Sequence, residues 1–137
     1  MPQNHSSDLT TEGIRVQAAA QYLAAESRPE QRQFVYGYRI VISNTGEQRA
    51  RPKSRNWVIL DADNNRQEVR GPGVIGKYPD LAPGESFEYC SGCPLSTKWG
   101  TMEGSYTFQR EDGSEFQVAI GRFFLAPSNP RIPALAR

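Results

Sequence analysis

The stretch GSYTFQREDGSEFQVAIGRFFL, Gly104 to Leu125, decides the fold class. Tyr106 and Phe108 lead in at every second position, and Phe116, Val118 and Ile120 lead out at the same spacing. Side chains two apart share one face of a strand, and Asp112–Gly113 between the runs is a tight-turn signal. The stretch therefore reads as a β-hairpin with one apolar face.

The same period runs outward from it. SFEYC puts Phe87 and Tyr89 on one face. NWVIL, residues 56–60, is a short apolar run that ends at the turn DADNN, and a further strand ends near Val69 or Arg70. In QFVYGYRIVISNTG, Phe34, Tyr36, Tyr38, Ile40 and Ile42 alternate before a turn at Asn44–Thr45–Gly46. In GIRVQAAAQYLA, Ile14, Val16, Ala18, Ala20 and Tyr22 alternate again. No segment carries an apolar stripe at helical spacing over three turns. About seven short strands at this spacing predict an all-β fold, an antiparallel β-sandwich of the immunoglobulin or fibronectin-III kind.

The chain has 137 residues, the size of one domain. A chain of this length buries roughly two thirds of its unfolded surface, so neither metal nor disulfide is needed for folding. Residues 1–12 are polar and predict a flexible tail, 13–127 the domain, and the proline-rich 128–137 a second tail. The formal charge is +1 with scattered basic residues, which argues against a nucleic-acid binder built on a basic face. No apolar run reaches the roughly 20 residues of a membrane span, so membrane insertion is not expected. The N-terminus has no apolar secretory core, and two cysteines are too few for a disulfide framework. A cytoplasmic location is the expectation.

GPGVIGKYP, Gly71 to Pro79, spells the G-x-G-x-x-G spacing that cradles a pyrophosphate in dinucleotide-binding folds. There a helix follows the glycines; here Lys77, Tyr78 and Pro79 follow. Two readings remain. The glycines serve a structural crossover between sheets, allowing positive φ or close packing. Alternatively, their N–H groups form an anion nest flanked by Arg70 and Lys77. The candidate ligand-binding residues for a pyrophosphate or other phosphate-containing ligand are Arg70, Gly71, Gly73, Gly76 and Lys77.

CSGC, Cys90 to Cys93, has the spacing of half a zinc site or a redox pair. Structural zinc takes four ligands, and the single histidine, His5, lies in the tail. Redox pairs open a helix, which lowers the first thiol's pKa, whereas this pair follows a strand and runs into Pro94. It reads as a turn with two part-buried cysteines. DADNN resembles the start of a calcium loop, but Arg66 and Pro72 stand where that loop needs glycine and glutamate. With His5 alone, Ser–His and Cys–His mechanisms lack a base inside the domain. No catalytic residue, metal site or cofactor is expected, and the chain does not read as an enzyme.

As an ordered set, several pieces resemble the ApaG family. They are R-x-W-x-I at Arg55, Trp57 and Ile59, and E-V-R-G-x-G-V-x-G from Glu68 to Gly76. L-x-P-G-E-x-F-x-Y from Leu81 to Tyr89, S-G-C-P-L from Ser91 to Leu95, and G-x-M-x-G-S-Y from Gly100 to Tyr106 complete it. Asn56 stands where the family commonly has histidine, and IGRFFL (Ile120 to Leu125) where it tends to have I-P-x-F-x-L. The resemblance implies a fibronectin-III-like sandwich. It also implies an association with magnesium efflux and cobalt resistance, and a glycine motif likened to a pyrophosphate loop. Related domains in F-box proteins imply an interaction role, with a partner protein or a second copy of the domain as the other party. The expectation is a non-enzymatic interaction module, with a phosphate-ligand sensor as the alternative.

Overall fold

Eight strands carry the alternation into space. The computed structural model describes residues 5–127. In chain order the strands are β1 (Ser6–Thr11), β2 (Ile14–Tyr22), β3 (Phe34–Asn44), β4 (Ala50–Asp61), β5 (Arg66–Pro72), β6 (Ser86–Leu95), β7 (Gly100–Arg110) and β8 (Glu115–Leu125). They form two four-stranded sheets, ordered β1-β2-β3-β6 and β5-β4-β7-β8, with every pairing antiparallel. Two short 3-10 turns are the only helical elements among the described residues. The antiparallel two-sheet sandwich matches the expectation, with eight strands among the described residues where about seven were expected. The opening hairpin is β7–β8, with Asp112 Oδ1 accepting from the Ser114 amide at 2.9 Å and Gly113 at φ +90°.

The apolar positions meet between the sheets. Ile14, Val16, Tyr36, Ile40, Ile42, Tyr106, Phe108, Val118 and Phe123 are all almost fully buried. Side chains of this size each contribute about 1.5–3 kcal/mol on burial, so the alternation that marked the strands also supplies the core. Trp57 sits at its centre, edge-on to Tyr38 at 5.5 Å, Phe123 at 6.1 Å and Tyr106 at 6.5 Å.

Three expectations need correction. Residues 1–12 are not wholly a tail, because Ser6–Thr11 pairs with β2 in register from Ser6↔Ala19 to Thr11↔Ile14. Its sequence is polar because almost all of this edge strand faces solvent. CSGC is not a turn: β6 runs straight through it, paired to β3 from Ser43↔Ser86 to Phe34↔Leu95. Pro94 is tolerated because β6 is an edge strand, where a missing N–H breaks no ladder. Finally, β4 begins at Ala50, well before NWVIL, and absorbs Pro52 at a bulge opposite Phe108 and Thr107. The tail expected at 128–137 lies outside the described residues.

The two long sides of the sandwich differ. On one, β1 and β2 lie against β8. Ser7 Oγ donates to the Gly121 carbonyl at 2.7 Å, and the Ala119 amide donates to Thr11 Oγ1 at 3.2 Å. Gly121 sits in a tight approach: a Cβ there would lie 3.0 Å from Ser7 Cβ and 3.1 Å from Leu9 Cγ, so β1 would have to shift to admit one. On the other side β5 faces β6, and among the described residues no hydrogen bond joins them.

Candidate functional site

The open side holds a cavity of about 230 Å³ between the sheets. Period-two geometry places its walls. On β4, Arg55, Trp57 and Ile59 point inward; on β5, Gln67 and Val69; on β6, Tyr89, Ser91 and Cys93. Tyr38 and Met102 add to the lining, and Val69 and Ile75 form a partly exposed apolar rim.

Arg55 is the unusual member. It is a half-buried cation on the core face of a central strand, and among the described residues it has no carboxylate partner. Its Nη1 donates to the Pro72 carbonyl at 2.7 Å. Gly71 makes way for it, since a Cβ there would lie 2.7 Å from Arg55 Nη2.

Three tyrosines surround this charge. Burial pushes the Tyr89 hydroxyl up to about 12, and raises Tyr38 and Tyr106 as well, while Arg55 pulls all three the other way. The Tyr89 and Tyr106 hydroxyls lie 2.6 Å apart, and one donates to the other. The tyrosines therefore stay neutral near pH 7 and keep O–H groups to offer.

The glycine motif has three structural jobs. Gly71 clears space for Arg55, as above. The Gly73 amide donates to the Lys53 carbonyl at the β4 bulge at 2.8 Å, and a Cβ on Gly73 would lie 2.1 Å from the Lys77 carbonyl oxygen. Gly76 takes φ +79° in a two-residue hairpin that Val74 and Lys77 close with reciprocal 2.8 Å bonds. Ile75, at φ +42°, fills the other central position. That turn favours Asn-Gly, and a β-branched residue in the left-handed region costs on the order of 1–3 kcal/mol. Ile75 is 40% exposed, so burial of its own side chain does little to offset this cost.

The loop thus spends its amides on the chain. Those of Gly73, Val74, Gly76 and Lys77 all donate to backbone carbonyls. Of the two readings of Gly71, Gly73 and Gly76, crossover and anion nest, these backbone bonds are those of a crossover, which carries the chain from one sheet to the other. Arg70 points to the opposite face of β5, where Nε donates to Asn56 Oδ1 at 3.2 Å and Nη2 lies 3.8 Å from Glu68. Lys77 follows the hairpin and is largely exposed. None of the five lines this cavity; Arg70 and Gly71 instead share a second, more open hollow with Lys53, Arg55 and Asn56, and Gly73, Gly76 and Lys77 do not line it.

Cys90 is exposed on the outer face of β6, and Cys93 is buried on the inner face. Residues three apart on a strand point to opposite sides, so the two thiols share no ligand geometry. Burial raises the Cys93 thiol to about 11. Among the described residues no three His, Cys, Asp or Glu side chains converge as a metal site. Asp61 of DADNN is occupied locally, accepting from the Asp63 and Asn65 amides at 2.8 and 2.9 Å.

The sequence reading had Arg55 in a family motif but not among the candidate site residues, yet its signal was present. R-x-W-x-I at period two sets Arg55 on the same face as Trp57 and Ile59, which are core residues. The ApaG domain profile matches residues 24–110. The chain belongs to the ApaG family. A Protein ApaG of Brucella anthropi is 48% identical over 115 residues, covering 84% of this chain and 88% of the relative. A Protein ApaG of Bordetella pertussis is 48% identical over 113 residues, covering 82% and 86%. A crystal structure of a Bordetella pertussis protein called ApaA matches with a TM-score of 0.83 at 43% identity, over 93% of this chain and 99% of that one. The span matched to the ApaG domain contains every cavity-lining residue and leaves out β1, β2 and β8, the strands of the sealed side.

Proposed function

We propose that the protein is a non-enzymatic recognition module that holds a protein partner against the open side of its sandwich. One observation carries this reading. Of the five large apolar side chains exposed among the described residues, three are Val69 (37%), Ile75 (40%) and Tyr78 (51%), on β5 and the loop after it. Single exposed apolar residues are ordinary, but a cluster beside an apolar cleft is an interaction surface. The free edge of β5 adds backbone N–H and C=O groups that an extended segment can pair with. In this reading, the association with magnesium efflux and cobalt resistance runs through the partner.

Affinity capture with two baits tests the proposal. The wild-type domain should retain a stoichiometric partner that Val69→Glu loses, with both baits equally folded by circular dichroism. Light scattering reports whether the partner is a second copy. The same proteins on both baits, with monomers in solution, would overturn the reading.

A further inference from the structure

We infer that the open-side cavity is a binding site for a small organic acid: a carboxylate on one aromatic or branched aliphatic group. The inference rests on reading the open side as the recognition face, and it assigns the chemistry of the cavity in that face.

Size sets the first limit. Sites for drug-sized ligands run to roughly 300–1,000 Å³, so about 230 Å³ fits a single ring or branched chain with one polar head. The walls set the second. Trp57, Ile59, Val69, Ile75 and Met102 offer apolar surface, which excludes a polyanion such as pyrophosphate from the bulk of the space.

Charge sets the third. Arg55 brings a half-buried positive charge to the cavity, uses Nη1 on the Pro72 carbonyl, and lacks a carboxylate among the described residues. A guanidinium fork pairs well with a carboxylate, and low surrounding polarity strengthens the bond. Tyr89 supports the same head group. When Tyr106 donates to Tyr89 across their 2.6 Å contact, the Tyr89 proton is left to donate to a ligand oxygen. The strained Ile75 has a place here too, because its side chain closes the rim over the apolar half of the site.

The probes are phenylacetate, its neutral analogue phenylacetamide, and acetate, each titrated into the ¹⁵N-labelled full chain by NMR. Phenylacetate should shift the amides of Val69, Ile75 and Gly92 with saturation in the millimolar range, the order expected of a fragment-sized ligand. Phenylacetamide and acetate should each bind about tenfold more weakly, having lost the ion pair or the apolar contact. Arg55→Gln should erase the preference for acid over amide. Ile75→Asn should weaken phenylacetate without affecting acetate. If Arg55→Gln does not fold, the acid–amide comparison on the wild type decides alone. Equal binding of acid and amide, shifts that map away from the cavity, or no saturable shift would overturn the site. Partner loss on Val69→Glu without phenylacetate binding would overturn only the acid site and leave the recognition face standing. Phenylacetate binding without any protein partner would support the site and count against the partner.

Discussion

β1 and β5 are alike in sequence terms and unlike in what the fold does with them. Each is a short edge strand, mostly polar and mostly exposed. β1 is tied to the opposite sheet through Ser7, Thr11 and the tight approach at Gly121. Among the described residues β5 has no such hydrogen-bonded tie, and a cavity stands between it and β6. The difference teaches how a small sandwich can hold a binding site. One side closes and carries stability; the other stays open and keeps apolar rim, cation and hydroxyls available.

The largest expected effect tests the sealed half. Phe123 on β8 is fully buried against Trp57 and Tyr38, and Phe123→Ala should cost about 3–5 kcal/mol in a denaturant titration. Val69→Ala, across the sandwich, should change stability by less than about 0.5 kcal/mol. Comparable losses at the two positions would erase the contrast.

Alkali probes the floor of the open half. An unfolded tyrosine ionises near 10, while folded Tyr89 holds its proton to about 12. Its folded pKa is raised, so its contribution is complete below pH 10 and is lost as pH rises toward 12. Tyr38 and Tyr106 shift the same way, again through burial. Stability followed by near-UV circular dichroism should be level up to pH 10 as far as these groups set it, then fall as phenolate absorbance grows. Phenolate formation at those three positions near pH 10 in the folded state would contradict the buried floor.

Smaller effects sharpen the comparison. Gly121→Val forces β1 away from β8 and should cost about 1–3 kcal/mol. Ile75→Asn should instead stabilise the fold by roughly 1 kcal/mol, because Asn-Gly suits the hairpin that Ile75 strains. A thermal melt reads both, and a destabilised Ile75→Asn variant would remove the argument that the rim is kept at a cost.

Much of the fold was legible because burial and the strand period coincide. Tyr36, Tyr38, Ile40 and Ile42 are buried as their spacing predicts. What escaped was governed by neighbours. β1 has only Leu9 as a large apolar residue, and its pairing depends on β2 and on space at Gly121. Pro94 read as a breaker because its edge position is a property of the sheet. At the site, the glycine spacing drew attention to amides that the chain itself consumes. Arg55 stands just before the run read as strand, and its lack of an ion-pair partner among the described residues is visible only in three dimensions.

Native-state hydrogen exchange, resolved by residue, tests the central contrast most directly. The hydrogen-bonded amides of β1 should exchange only with global unfolding, while those of β5 should exchange earlier through local opening. If β5 and its hairpin are as protected as β8, or if β1 opens first, the division into a sealed side and an open side is wrong.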